Sequence, residues 1–351
     1  MRFIHLADVH LGAAPDRGCP WSSKREEEIW ETFRRVIAGI REDPVDLLFI
    51  AGDLFHRQPL LRELKEVNYL FSTIPDTRVY LMAGNHDYLK KDSFYRGFPW
   101  SQNVIFFDSE RLTCVKDPLL EVYVYGLSYE HREILTPLYE GLRPEEGEGL
   151  HILLAHGGDD RHIPVNVQGL AAAGFDYIAL GHIHKPQILL RDAAAYAGAL
   201  EPIDRGDLGP HGYVEGRLES GRLRISFVPF ACRSYRQILL HVDEDSTQLS
   251  LEAALKEELY EKGGLDMYRV ILQGIRSPEL LLIPERMKAF GNITEVQDES
   301  IPAYDLYALK KTYAGTLIGD YIDCFLEKDR TITEDKALYY GLQALLLTSR
   351  T

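Results

Sequence analysis

The sequence predicts an α/β protein, with a layered sheet domain over residues 1–232 and a smaller α+β domain over residues 233–351. Three observations lead there. Short apolar runs recur through the first 190 residues, each stopping abruptly at a polar, glycine-containing turn and usually following a stretch of helical periodicity. The runs are continuous rather than alternating, the pattern of strands covered on both faces. Beyond about Arg233 the composition changes, because no histidine follows His241 and the pattern becomes strand, helix, strand and then helices. A length of 351 residues fits two domains and is enough to bury a core without staples.

In chain order, the apolar runs predict strands at 3–7, 47–51, 79–83, 151–155 and 177–180. Residues 24–42 carry Ile29, Trp30, Phe33, Val36, Ile37 and Ile40 at helical spacing, and residues 60–72 carry Leu61, Leu64, Val67 and Leu70 in a similar stripe. Both read as covering helices. Within 103–127 the stretches VIFF, RLTCV and EVYVYGL are rich in β-branched and aromatic residues and favour short strands. The segment RPEEGEG at 143–149 is an exposed loop. Strands follow at 195–200 and 213–228, the second folded back at a hairpin turn over 219–221. The second domain is expected to hold strands near 237–242, 267–273 and 293–297, and helices near 251–261, 278–290, 316–327 and 334–348.

Composition excludes disorder and fibrous structure: 45% of residues are hydrophobic and 26% charged. Against 39 Lys and Arg stand 54 Asp and Glu, a net charge of −15, so the whole molecule repels phosphate polyanions unless bound cations or local basic groups reverse the field. Cys19, Cys114, Cys232 and Cys324 are far apart with no CxxC pair, which reads as reduced structural thiols. No run approaches the roughly 18 apolar residues of a spanning helix, and the opening MRFIHLADVHLG is not a leader, so a cytoplasmic protein without membrane attachment is expected.

All five apolar runs end in residues that bind metals. Asp8 and His10 follow the first, Asp53 the second, Asn85, His86 and Asp87 the third, His156 the fourth, and His182 with His184 the fifth. Ligands of open α/β sheets bind beyond the carboxyl ends of strands, so these loops can converge on one crevice. Carboxylate, imidazole and amide donors without thiolate suit Mn²⁺, Fe²⁺ or Zn²⁺, and seven of these groups, those other than His86 and Asp87, are too many for one ion but fit two that share a bridge. Two ions about 3.5–4 Å apart can clamp a phosphoryl group during in-line displacement. A glycine precedes Asp53, Asn85 and His182, letting the backbone turn sharply beside a crowded site.

The ordered set DVH, GD, GNHD, AHGG and GHIH, spread over about residues 1–190, resembles the calcineurin-like metallophosphoesterases. The fold this implies is a layered β-sandwich metallophosphoesterase core flanked by helices, with the C-terminal α+β domain as a cap. By resemblance, Asp8, His10, Asp53 and His184 hold one metal, and Asp53, Asn85, His156 and His182 hold the other, Asp53 being the bridge. The pair of divalent ions is expected to be Mn, with Fe, Zn or Mg as alternatives. His86 would be the acid that faces the scissile phosphate, oriented by Asp87.

FIHLADVHLG, AGDLFH and AGALEPIDRGD at 197–207 are closest to the DNA-repair exonuclease branch, the SbcD- and YhaO-like nuclease subunits. His56 then corresponds to the histidine that shapes exonuclease action. The resemblance implies a metal-dependent DNA exonuclease, with endonuclease activity an extension, acting through a hydroxide activated by two metals. It also implies an SbcC-like coiled-coil ATPase partner and a homodimer. Arg57, Arg62, Lys65, Lys90, Lys91, Arg96, Lys185 and Arg205 lie in or near the motif loops and offset part of the negative charge. The alternative keeps the chemistry but takes nucleotides or other small phosphoesters as substrate. A non-catalytic scaffold for an ATPase is disfavoured, because it would need none of these ligands. Trp21, Trp30 and the Tyr-rich segment from Tyr304 to Tyr321 read as packing, and His5, His151, His162 and His211 as structural or exposed.

Overall fold

The computed structural model describes residues 1–326 and 329–348, which fall into two units, Met1–Arg236 and Gln237–Thr351. The first unit runs β1 (Arg2–Leu6), α1 (Ser22–Glu42), β2 (Leu47–Ala51), α2 (Leu61–Ser72), β3 (Arg78–Met82), β4 (Val104–Phe107), β5 (Thr113–Asp117) and β6 (Val122–Gly126). It continues with β7 (Leu150–His156), α3 (Val167–Ala173), β8 (Tyr177–Gly181), β9 (Gln187–Leu190), β10 (Ala194–Tyr196), β11 (Gly212–Glu219) and β12 (Arg222–Pro229). Two six-stranded sheets result, ordered β12-β11-β1-β2-β3-β4 and β5-β6-β7-β8-β10-β9. At the centre of each sheet the strands are parallel, β1-β2-β3-β4 in the first and β6-β7-β8-β10 in the second.

The alternation of side chains along each strand explains why the runs are apolar throughout. Phe3, Leu47, Phe49, Tyr80 and Met82 face inward and meet Val122, Val124, Ile152, Leu154 and Tyr177 of the other sheet. Ile4, Leu6, Leu48, Ile50, Val79 and Leu81 face outward onto Ile29, Phe33, Val36 and Ile37 of α1 and Leu64, Val67 and Phe71 of α2. On the far side of the second sheet, Leu153, Ile178 and Tyr125 pack with Val167 and Leu170 of α3. The unit is therefore a helix-flanked pair of stacked sheets, the α/β class the apolar runs predict. Because β1, β2, β3, β7 and β8 are central and parallel, their C-terminal ends open onto one edge of the sandwich.

The hairpin between β11 and β12 pairs Glu219 with Arg222 across Ser220 and Gly221, both at positive φ, as a two-residue turn between right-twisted strands requires. The predicted strand at 195–200 is only Ala194–Tyr196, since Gly198 lies at φ +76 and the chain turns away there. Helix α3 and strand β9 carry no strong apolar stripe, and periodicity missed both. Trp21 and Trp30 are buried, and the Trp21 indole N–H donates to Asp16 Oδ2 at 2.8 Å.

The second unit has β13 (Tyr235–Val242), α4 (Gln248–Lys262), β14 (Met267–Arg276), α5 (Pro284–Lys288), β15 (Ile293–Asp298), β16 (Ile301–Pro302), α6 (Leu306–Thr312), α7 (Leu317–Leu326) and α8 (Ile332–Thr348). Its sheet is ordered β13-β14-β15, with β16 also pairing β14. Ile238, Leu240, Tyr268, Val270 and Leu272 of the sheet pack on Leu251 and Leu255 of α4. A single helix over 278–290 does not form. Pro284 is at the first helical position and drives Ile283 to an extended φ of −122, so only α5 is helical. The helix predicted over 316–327 is α7, and Glu327 lies outside the described residues. Among the described residues no helix is long and apolar enough to cross a membrane.

Candidate metal centre

Backbone geometry at the strand ends is unusual. Among the described residues nine non-glycine residues have positive φ, and four of them are Asp8, His10, Asp53 and His182, at +48, +52, +50 and +99. Strained backbone of this kind persists only where its surroundings fix it, and it concentrates at functional sites. Cross-strand bonds fix it here: the Asp8 amide donates to Gly52 O at 3.2 Å and the His10 amide to Asp53 O at 3.0 Å. Space is as tight as the backbone. A Cβ on Gly84 would overlap Asp53 Oδ1, and one on Gly52 would overlap the His156 ring.

The five loops converge. His156 Nε2 lies 2.9 Å from Asn85 Oδ1 and 3.4 Å from Asp53 Oδ2. His10 Nε2 lies 3.2 Å from His184 Nε2 and 3.9 Å from Asp53 Oδ2. His182 Nδ1 lies 3.0 Å from Asn85 Oδ1, and the His182 amide donates to both oxygens of Asp8 at 3.0 and 2.9 Å. Two of the compact donor groups among the described residues share Asp8, which stands with His10 and His184 in one and with Asp53 and His156 in the other; a further group joins His10 with His56 and His86. Asp53 Oδ2 thus faces imidazoles of both Asp8 groups, while Oδ1 accepts the His86 amide at 2.8 Å. Asp8, His10, Asp53, Asn85, Asp87 and His156 are buried; His56, His86, His182 and His184 are half-buried and line the open side.

In most of these rings one nitrogen is committed to an acceptor, which fixes the tautomer and frees the other nitrogen. His156 Nδ1–H donates to Ala51 O at 2.9 Å, and His86 Nδ1–H to His56 O at 3.1 Å. His184 Nδ1 lies 3.2 Å from Asp207 Oδ2, and His182 Nε2 lies 2.8 Å from Asp159 Oδ2. His56 stacks on His86 with ring centroids 5.1 Å apart, and its Nδ1 lies 3.4 Å from His10 Nδ1.

Electrostatics follow from burial and close charges. Burial opposes a charge on Asp53, yet His156 beside it holds the carboxyl well below the usual carboxylate range. The same contact works in reverse on His156: burial opposes the imidazolium, and Asp53 overcomes it, placing the ring at about 9. Burial pushes Asp8 up to about 6 and Asp87 up to about 7. Burial takes His10 well below the ordinary imidazole value.

Asp87 does not orient His86, the role assigned to it from sequence. Its Oδ1 accepts the Gly84 amide at 2.8 Å, and its Oδ2 accepts the Phe55 amide at 3.1 Å and the Tyr95 hydroxyl at 2.9 Å. Its carboxylate ties the β2 and β3 loops together, and the His56 carbonyl holds the His86 ring instead. Asp159 and Asp207 were missed as partners of His182 and His184. Asp207 is remote from any strand end, and Asp159, three residues past β7, falls just outside the AHGG motif. Two of the basic residues near the loops are spent internally, Arg57 on Glu63 at 2.7 Å and Arg96 on Glu130 at 3.2 Å.

Strand-end carboxylates and imidazoles gathered at one edge of a helix-flanked sheet sandwich define a metal-dependent phosphoester hydrolase. The sequence profile of the calcineurin-like phosphoesterases matches residues 1–186, and the chain belongs to that family. The uncharacterized metallophosphoesterase YhaO of Bacillus subtilis (strain 168) is 28% identical over 306 residues, covering 80% of this chain and 74% of that protein. The DNA double-strand break repair protein Mre11 of Methanocaldococcus jannaschii is 28% identical over 223 residues, 59% of this chain and 58% of its own length. Its counterpart in Methanopyrus kandleri is 29% identical over 232 residues, 58% of this chain and 49% of its own. The chain spans about half to three fifths of the length of these two Mre11 proteins.

Members of the family bind two divalent metal ions, and the donor set here fits such a pair. The fit rests on the Nε2 atoms of His156 and His184, whose Nδ1 atoms are held by Ala51 O and Asp207 Oδ2, being turned inward, the first toward Asn85 Oδ1 and Asp53 Oδ2 and the second toward His10 Nε2, in a cradle with no room for a side chain at Gly52 or Gly84.

Proposed function

We propose that the chain is a metal-dependent nuclease that shortens DNA from its ends during repair, with Asp8, His10, Asp53 and His184 holding one ion and Asp53, Asn85, His156 and His182 the other. The observation that carries this reading is the His56–His86 stack on the open side of the donor set. The His56 carbonyl takes the Nδ1–H of His86, leaving His86 Nε2 to meet a substrate oxygen. When bound, two divalent ions supply Lewis-acid activation of water and neutralise charge at phosphorus. His86 supplies the complement when it carries a proton on both nitrogens: with Nδ1–H held by the His56 carbonyl, its Nε2–H passes to the departing oxygen as the P–O bond breaks, so a phosphodiester and water become a phosphomonoester and an alcohol and the ring is left neutral. His56 packs behind this ring and keeps it in place. Mn²⁺ is the expected resident ion on donor chemistry, since carboxylate, amide and imidazole without thiolate suit it.

Likeness to proteins named for DNA double-strand break repair supports DNA as the substrate. The net charge of −15 favours help in gripping it, which a coiled-coil ATPase partner, a homodimer, or both would supply. That same charge favours the second reading, a phosphodiesterase or phosphatase for nucleotides and other small phosphoesters. The two readings are separated with linear duplex DNA labelled at one end, closed circular DNA and bis-p-nitrophenyl phosphate, each in Mn²⁺ and in chelator. The nuclease reading expects progressive Mn²⁺-dependent shortening of the linear substrate. Turnover of the small ester with intact DNA would instead select the second reading.

A further inference from the structure

One carboxylate beside the centre belongs to none of the motifs. Asp159 follows AHGG in the loop after β7, is 45% exposed at its side chain, and reaches across to the loop after β8. Its Oδ2 lies 2.8 Å from His182 Nε2 and 3.0 Å from His162 Nδ1, while its Oδ1 accepts the amides of Arg161 at 2.8 Å and His162 at 2.9 Å and lies 2.9 Å from the same His162 Nδ1. Those two amides fix the carboxylate by a local turn, so its aim at His182 does not depend on the imidazole. On the other side of the same ring, Nδ1 lies 3.0 Å from Asn85 Oδ1.

We infer that Asp159 is a positioning residue for the ion held by Asn85, His156 and His182: it keeps His182 as the Nε2–H tautomer and so presents the Nδ1 lone pair to the centre. The inference rests on the two-ion reading above and adds a residue to it. An imidazole carries one proton when neutral, and a ring that puts it on Nδ1 cannot donate that nitrogen to a cation. A carboxylate accepting from Nε2–H settles the choice and makes Nδ1 a stronger donor. His182 needs this more than His156, which is buried and already gives Nδ1–H to the Ala51 carbonyl. His182 is half-buried on the rim, where water competes for both nitrogens.

A different use of the same residues is a third ion held by Asp159, His162 and His182, whose donor atoms lie within 4.8 Å of one another. Geometry disfavours it. Asp159 Oδ1 is occupied by two amides, and an ion on His182 Nε2 would require that ring to bridge two cations through an imidazolate.

The test uses the full chain stripped of metal by chelator, with Asp159→Ala, Asp159→Asn and His162→Ala beside the wild type. Mn²⁺ is titrated calorimetrically, bound ions are counted by mass spectrometry, and ring tautomers are read from ¹⁵N–¹H correlations of histidine in the metal-free protein. The wild type should bind two ions and show one ring, absent from His182→Gln, as the Nε2–H tautomer. Asp159→Ala should weaken one of the two ions by about 10–100-fold, leave the other unchanged, and turn that ring into a tautomer mixture. Asp159→Asn, which keeps an acceptor oxygen without the charge, should fall between. His162→Ala should bind both ions as the wild type does. Equal affinities for both ions in Asp159→Ala, or an unchanged tautomer, would overturn the inference while leaving the two-ion reading in place. Three ions in the wild type and two in His162→Ala would replace it with the third-ion site. A wild type that takes up no ions would overturn the two-ion reading and this inference together.

Discussion

The first sheet supplies Asp8, His10, Asp53, Asn85 and His86 from the ends of β1, β2 and β3, and the second supplies His156, His182 and His184 from the ends of β7 and β8. The two contributions are oriented differently. In the first sheet, the carboxylates and Asn85 are buried, three residues sit on strained backbone with cross-strand bonds from the Asp8 and His10 amides locking it, and Gly84 closes the space behind Asp53. In the second sheet, only His156 is buried, and its ring is held by a carbonyl of the first sheet. The rim rings His182 and His184 are held by side-chain carboxylates, Asp159 from the loop after β7 and Asp207 from the loop after β10. Among the second-sheet ligands, then, the buried ring is oriented by backbone and the two rim rings by carboxylates.

This contrast sets an order of sensitivity. Asp53→Ala removes the carboxylate that faces imidazoles of both donor groups, and it should abolish ion-supported hydrolysis of bis-p-nitrophenyl phosphate. Near-normal turnover with both ions bound would show that the buried half is not the foundation of the site. His86→Ala should slow hydrolysis by roughly 10²–10⁴-fold, the scale of a general acid, while Mn²⁺ stoichiometry stays at the wild-type value. An equal loss of ion binding would move His86 into the donor set and blur the division between ligands and proton donor.

Gly84→Ala sharpens the comparison through packing alone. Its methyl group has no free space beside Asp53, so a loss of about 1–3 kcal/mol in urea unfolding is expected, together with weaker Mn²⁺ uptake. A fully stable variant with intact uptake would mean that the buried half tolerates displacement as the rim does.

A prediction that leaves hydrolysis untouched tests the interior between the sheets. His5 is fully buried, its Nδ1 lies 2.8 Å from the Tyr177 hydroxyl, and burial lowers its pKa to about 3. The folded ring stays neutral while the unfolded ring takes a proton below about pH 6.5. Its contribution to stability is therefore complete above that pH and is lost as the pH falls toward 3, on the order of 1 kcal/mol per pH unit. Between pH 6 and 4 the unfolding free energy of the wild type should drop more steeply than that of His5→Phe; parallel slopes would contradict the assignment.

Much of this was legible in the sequence because the central strands are covered on both faces, leaving continuous apolar runs whose ends are easy to place. Polar residues at those ends could not be explained by burial, and that made Asp8, Asp53 and His156 stand out. Asp159 and Asp207 left no such mark. Acidic residues in loops are ordinary, and only the three-dimensional path of the chain brings them to His182 and His184. The role of Asp87 was misread for a related reason. Its place beside His86 in GNHD suggests contact, yet consecutive residues point apart, and the carboxylate turns inward to Gly84, Phe55 and Tyr95. In the second unit, Pro284 was available to read, and it shortens the helix expected over 278–290.

The central claim is that strand ends from both sheets build one centre for two ions. Crystals of the chain grown with Mn²⁺ and measured at an energy where manganese scatters anomalously test it directly. Two peaks about 3.5–4 Å apart are expected, one beside Asp8, His10 and His184, the other beside Asn85, His156 and His182, with Asp53 between them. A single peak, or peaks away from these residues, would contradict it.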